Sequence, residues 1–464
     1  MKRFLALFVL LGAGLLGAPG IIGYQVETYY QGMVSQFTKA GLEIVSQDYN
    51  RGWFGAESET QFLLKLPVGP DRTETEEFRF TVISHIDHGP LTGDGIGLAT
   101  IKSEINSDGE AILPKDYQAE INTLIDISGQ GVTRVHLPAT QFEAEGDRPA
   151  GHFEGMDGEM QFDSAFEQIT MQLSLPALTL TENSEPLLEV KGVTLHSNSH
   201  KGVSGLMLGG GEFSIDRIAV QDRESGTRIE MAQLGIDAES RAEADAVSAY
   251  VRYRLEKVQV DDQTYGPAEL KVGLGNLPAS VLLQIQTSVE EINAQQLSDE
   301  KKGMALLSVL MGNASGLLKG DPIVTIDKLS VQTPDGLIAG KLSVQAVGLE
   351  WKEITNASAV LNKLVGDAAF QMPEKLFRML LLQKVQTELL RQFEQRQLLS
   401  PDSEMPTAEQ LDEMSQSVVE QQLVVMLGQE FIVKEGDSIF TNAKLADGLL
   451  SVNGKTIPLP VQPQ

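Results

Sequence analysis

The sequence predicts a mainly β protein with a smaller α component, an α+β fold. It is read as an elongated antiparallel sheet with helices packed in its C-terminal half and one N-terminal transmembrane helix ahead of it. Three observations carry the expectation. Apolar and polar residues alternate with a period of two along most of the chain, turn-forming pairs separate the alternating runs, and helical spacing is confined to the C-terminal half. Half-polar, half-apolar strands are those of antiparallel sheets with one face in water.

Taken in order, Lys2 and Arg3 precede FLALFVLLGAGLLGAPGIIGY, an uncharged run in which Glu27 is the first acidic residue to follow. A helix needs about 20 apolar residues to cross the hydrocarbon core of a bilayer. Residues 1–25 are therefore expected to be a membrane anchor, with Phe4, Leu7, Val9, Leu11, Leu15 and Ile21 facing lipid. The two basic residues stay cytoplasmic by the positive-inside bias, which places the rest across the membrane. A cleaved signal peptide is the rival, with Gly17-Ala18 as a tolerable small-residue site; the absence of an A-x-A pattern and the continuing Ile21-Ile22 favour the uncleaved anchor.

Residues 26–275 read as an antiparallel β region. DYNRGWFGAESET (Asp48 to Thr60) holds a tight turn in which Asn50 and Gly52 can take positive φ, between a strand ending near Tyr49 and one starting near Phe54. Trp53 and Phe54 are expected to cap the core there; contact with a membrane interface or a ligand is the alternative. FRFTVISHIDH alternates Phe78, Phe80, Val82, Ser84, Ile86 and His88 on one side with Arg79, Thr81, Ile83, His85 and Asp87 on the other. Pro90 then ends the ladder, since it has no N–H to donate. Hairpins are marked by Pro334-Asp335-Gly336, Asp447-Gly448 and Asn453-Gly454. The segments starting at Ile215 and Ile326, and more loosely that at Leu178, echo one another as strand, polar turn, strand, which shared hairpin patterning explains more readily than duplication.

Residues 276–464 read as an α+β region. Helices are expected near 278–311, with Leu282, Ile285, Val289 and Ile292 at helical spacing, and near 373–428 as a helical hairpin. The first arm of that hairpin aligns Phe377, Leu380 and Leu381, and the second Leu411, Met414, Val418 and Leu427, with Gly428 as C-cap. A closing hairpin is expected over residues 431–459.

Composition excludes more chemistry than it offers. There is no cysteine, so disulfides, thiolate nucleophiles and cysteine-ligated metal are out, as is a lipidated N-terminal cysteine. A formal net charge of −28 repels phosphate backbones, and nucleic acid is not an expected partner. The densest titratable cluster is His85-x-Asp87-His88, within a chain of six histidines. On a regular strand His85 and Asp87 share one face and His88 takes the other, so the three cannot meet one ion. No dinucleotide fingerprint, phosphate loop or nucleophile elbow is present, and no cofactor is expected. Arg51 and Asp87, each at a strand end, are expected to pair.

Taken together, YNRGWFGAES, IDHGPL, LLKGDPIVTI and LADGLLSVNGKTIPL, in that order behind the basic start and apolar segment, resemble the YdgA/YihF family of bacterial envelope proteins. The matching positions are Tyr49, Arg51, Gly52, Phe54, Asp87, His88, Gly89, Pro90, Lys319, Gly320, Asp321, Pro322, Asn453 and Gly454. The resemblance implies an inner-membrane protein with its bulk in the periplasm. It implies no catalytic or cofactor residue, and most of the shared positions are turn formers whose demand is backbone geometry. The expectation that follows is a non-enzymatic envelope protein, partnered by the membrane through its N-terminal helix and holding a lipid or glycolipid in an apolar groove of the sheet. The alternatives are an assembly scaffold that forms homo-oligomers and a hydrolase using carboxylates or the His85 to His88 segment.

Overall fold

A computed structural model describes residues 22–34, 42–68, 74–92, 95–107, 119–144, 149–182, 185–202, 204–221, 226–295, 297, 299–399 and 406–457. The expected anchor residues Phe4, Leu7, Val9, Leu11, Leu15 and Ile21 lie outside them. Among the described residues no helix is long and apolar enough to cross a membrane. The described chain is mainly β and divides into two compact units, residues 1–242 with 279–313, and residues 243–278 with 314–464.

The first unit is an antiparallel meander. β1 (Glu43–Arg51) pairs with β2 (Gly55–Val68), and β2 with β3 (Glu74–His88). The ladder continues through strands Ala99–Ser107, Glu120–Ile125, Gly131–Leu137, Met156–Phe162, Gln168–Glu182, Glu185–Lys201, Met207–Gln221 and Arg228–Glu243, each antiparallel to the one before. Short strands Thr140–Phe142 and Ala150–Phe153 add to the outer half of Gln168–Glu182. Strand Gln168–Glu182 shows the expected alternation over most of its length, every second side chain being exposed.

The expectation that packed helices are confined to the C-terminal half, and that residues 26–275 are all β, is corrected at once. Residues 22–34 form helix α1, whose Val26, Tyr30, Met33 and Val34 are buried in the largest described core with Phe62, Ile86, Ile101, Ile125 and Phe162. A helix this short is marginal by itself in water. Its stability comes from the apolar stripe pressed on the sheet, where each fully buried aliphatic or aromatic side chain is worth about 1.5–3 kcal/mol.

The stretch expected as one helical region near 278–311 is two helices, α2 (Ala279–Ala294) and α3 (Asp299–Leu318).

The second unit is also an antiparallel meander, of strands Ala246–Val260, Ala268–Pro278, Ile323–Thr333, Gly336–Ala346, Leu364–Pro373 and Ser438–Ala446, closed by Leu449–Val452 and Lys455–Ile457. The turn pairs do what their chemistry demands: Asp447-Gly448 and Asn453-Gly454 have positive φ at both residues, the condition of a tight hairpin turn. Helix α4 (Ala357–Lys363) precedes Leu364–Pro373, and the helical hairpin α5 (Glu374–Leu399) and α6 (Ala408–Gly428) follows it. Thr407 caps α6 in a capping box with Gln410.

The buried faces of this hairpin differ from those read from spacing. Val385, Val419 and Leu423 form the core with Phe377, Leu381 and Leu382, whereas Leu380 and Met414 are exposed. Both helices carry apolar residues on more than one face, so spacing by itself did not fix the rotation about the helix axis.

Candidate functional site

Two features of the first unit gather side chains that the meander does not need for its own ladder. One is the junction at which α1 meets the ends of β1 to β3; the other is a cleft beside the far end of α1.

At the junction the turn after β1 is closed by the Gly52 N–H donating to the Gly55 carbonyl at 2.7 Å. Neither Asn50 nor Gly52 takes the expected positive φ. Asn50 stays in the ladder opposite Glu57, and its amide donates to Asp48 at 3.1 Å. Gly55 and Gly89 are required for a different reason, close approach: a Cβ on Gly89 would lie 1.7 Å from the Gly97 carbonyl oxygen, and one on Gly55 2.5 Å from that of Ile86.

Arg51 does not pair with Asp87. Its guanidinium pairs with Glu27 of α1 at 2.8 Å and lies over the Tyr24 ring, 3.5 Å from the centroid. Sequence spacing did not foresee this, because it places Tyr24 at the end of an anchor and Glu27 at the start of the β region. Val26, Tyr30 and Met33 at helical spacing are the signal that reveals it.

His88 is buried at 3 % exposure, while His85 faces out within 3.6 Å of Glu57, as strand alternation requires. Burial pushes His88 below its ordinary value. The Trp53 main chain and the charges of Asp87 and Glu27 oppose this and Arg51 adds to it. His88 is thus a neutral packing group against which α1 comes so close that a Cβ on Gly23 would lie 2.7 Å from the imidazole. Behind it Tyr30 donates to Ser84 at 3.1 Å, Ser84 and Ser103 share a hydrogen bond of 2.8 Å, and the rings of Tyr30 and Tyr49 stand 5.5 Å apart. Burial, then Glu27 and Tyr30, push the Tyr49 hydroxyl up to about 12, so it stays protonated. These residues hold a helix to a sheet.

Trp53 and Phe54 do not cap the core: they are 58 % and 59 % exposed.

The remaining signature positions serve the second unit. Asp321, at positive φ, receives amide bonds from Asn276 and Gln345 on its carbonyl, and its carboxylate accepts from the Gly348 N–H at 2.6 Å. Gly320 passes so near Asn276 that a Cβ would sit 2.1 Å from its carbonyl oxygen. Ala346 N–H donates to the Pro322 carbonyl at 3.0 Å, and Lys319 N–H to that of Gly316 at 3.3 Å. Asn453 donates its amide to the carbonyls of Glu430 and Phe431 and accepts from the Asn442 N–H at 2.8 Å, tying the last hairpin to the end of α6.

The second feature is an open cleft of about 1720 Å³. Its apolar wall is built from Val34 of α1, Ile44 and Val45 of β1, Phe166, Met207, and Leu283 and Val289 of α2. Phe166 stacks on Phe162 with centroids 4.8 Å apart and fills the space left by Gly32, where a Cβ would be 2.7 Å from its ring. Charged pairs rim the cleft: Glu43 with Lys65 at 3.4 Å and with Lys302 at 4.0 Å, and Lys201 with Glu167 at 2.8 Å. Its volume exceeds the roughly 300–1,000 Å³ of sites for drug-sized ligands. No local motif announces it, since its walls come from segments far apart in sequence.

The model of the family described as "Bacterial protein of unknown function (DUF945)" matches residues 1–460. The chain is similar to Protein YdgA of Escherichia coli (strain K12), 23 % identical over 385 residues that cover 74 % of each chain. No solved structure matches.

Proposed function

The chain belongs to the DUF945 family of bacterial proteins of unknown function, and we propose that it is a non-enzymatic envelope protein. In this reading it is anchored in the inner membrane by the apolar run that precedes α1, with its bulk in the periplasm, and its first unit holds an amphipathic, acyl-bearing ligand such as a phospholipid or glycolipid. The observation that carries the reading is the cleft between α1, β1, Met207 and α2, large, with an apolar patch on a wall shared about equally with polar side chains and with ion pairs at its rim. An acyl chain gains about 0.8 kcal/mol per buried CH₂, so a dozen or so carbons along this wall suffice for binding without any directed polar contact. The rim would meet a headgroup.

The test is native mass spectrometry of the full chain taken from membranes in mild detergent. A copurifying lipid is expected on the wild type, and it should fall at least several-fold in L283W and V289W, which fill the cleft. A folded wild type that carries no lipid contradicts the reading.

A second reading, an assembly scaffold, is favoured by one observation. Met304, Leu307, Leu310 and Met311 are each more than half exposed, a stripe of large apolar side chains along one side of α3. Sedimentation of the full chain in detergent decides it: a homo-oligomer that L307E reduces to monomer supports the scaffold, and a monomeric wild type removes it.

A further inference from the structure

The end of the first unit from which α1 departs is built as a surface. Cross-strand partners run in one row: Gly55 opposite Asp87, His88 opposite Ala99, Ala99 opposite Ile125, and Ile125 opposite Gly131. Residues 52–54, 89–92 with 95–98, and 126–130 therefore lie side by side at the same edge. They are fastened to one another, His88 N–H donating to the Phe54 carbonyl at 2.8 Å, Gly89 N–H to Leu98 at 2.6 Å, and Leu98 N–H to Ile125 at 2.8 Å. Asp126 locks the third connection by accepting from the N–H groups of Ser128 and Gln130.

From this braced edge large apolar side chains face out, beside the exposed polar Ser128 and Gln130. Trp53 and Phe54 are exposed, and Leu91, Ile96 and Ile127 are 64 %, 73 % and 72 % exposed. A monomeric soluble protein seldom gathers exposed residues of this size in adjacent connections without an occupant.

Where the chain leads says what the occupant is. α1 begins at this same edge, with Gly23 against His88 and Tyr24 under Arg51. The residues that join it directly, Phe4 to Ile21, carry no charge. Tryptophan and tyrosine favour the depth of the headgroups, while aliphatic side chains favour the acyl boundary beneath them. We propose that this edge seats on the lipid bilayer that receives the apolar N-terminal run, with Trp53, Phe54, Leu91, Ile96 and Ile127 in its interfacial layer. The body is then docked on the membrane through a short rigid link, instead of hanging from a free tether. A net charge of −28 gives no electrostatic attraction to anionic lipid, so the contact is apolar and insensitive to salt. The proposal rests on the anchored reading of the apolar run ahead of α1 and not on the ligand cleft.

The experiment uses the full chain in phosphatidylcholine and phosphatidylethanolamine vesicles, with and without lipids brominated near the headgroup. Two tryptophans report, Trp53 and Trp351. W351F isolates the first and W53F the second. Trp53 emission is expected to lie to the blue of its value in water and to lose roughly half its intensity to bromine, as an interfacial indole does. F54S/L91S/I96S/I127S should shift that emission to the red while flotation with the vesicles is unchanged. Flotation without quenching of Trp53 overturns the seating and leaves the anchor intact. Absence of flotation overturns both. Quenching of Trp53 by aqueous iodide as strong as that of free indole likewise overturns the seating.

Discussion

Arg51 is the residue through which the turn YNRGWFG speaks to the rest of the unit. Its ion pair with Glu27 is partly exposed, the two side chains retaining 27 % and 37 % of their accessible area, so solvent screening limits its worth. A double-mutant cycle of R51A and E27A, read by urea unfolding of the full chain, should give a coupling of about 0.5–1 kcal/mol, with R51A by itself costing more because the Tyr24 contact goes too. A coupling of zero would show that the pair is incidental to the seating of α1.

His88 makes a second, pH-dependent demand. Its value is depressed in the folded chain, chiefly by burial, so between the folded and unfolded values the unfolded chain binds the extra proton. Stability contributed by the neutral ring is complete above the ordinary histidine value of about 6.5 and declines as pH falls below it, until the folded value is reached. Unfolding measured at pH 7.5 and at pH 5 should differ in that direction, and H88F should remove part of the difference. An equal slope in H88F would assign the acid sensitivity elsewhere.

At the scale of elements, α1 and the α5–α6 hairpin are held by buried cores instead of by helix propensity. Leu423 is 2 % exposed and Val26 fully buried. L423A should cost about 2–5 kcal/mol, the range for deleting a buried leucine side chain, and V26A less, because fewer methyl groups are lost. Chemical denaturation of the full chain gives both numbers. Hydrogen exchange should show V26A loosening residues 22–34 before the strands beneath them, since the helix can leave the sheet without breaking the ladder hydrogen bonds. Uniform loosening would mean that α1 and the sheet open as one.

For the whole molecule, the β architecture was legible because alternation and turn pairs repeat dozens of residues apart and agree with one another. Asp447-Gly448 and Asn453-Gly454 even fixed the turn geometry, positive φ being affordable at few other residue types. Legibility failed where tertiary packing decides. α1 was hidden because Ile22 continues the apolar run read as an anchor, so its first turn was assigned to that run. The buried face of α5 was misjudged because Leu380 and Leu381 are chemically equal and only the neighbours separate them. Trp53 and Phe54 look like core residues to composition, and it is the register of three adjacent connections that turns them outward. The cleft was invisible altogether, being assembled from β1, Phe166, Met207 and α2 with no short spacing to betray it.

The central claim is that the cleft of the first unit holds an acyl-bearing ligand in the cell. A photoreactive amino acid placed at Met207, on the cleft wall, and as a control at Val220, which is 39 % exposed and not among the residues lining the cleft, reads this most directly. After illumination of living cells, the peptide containing position 207 should carry the added mass of a lipid, and the peptide containing position 220 should not. An unmodified peptide at 207, or one joined only to another protein, would contradict the account.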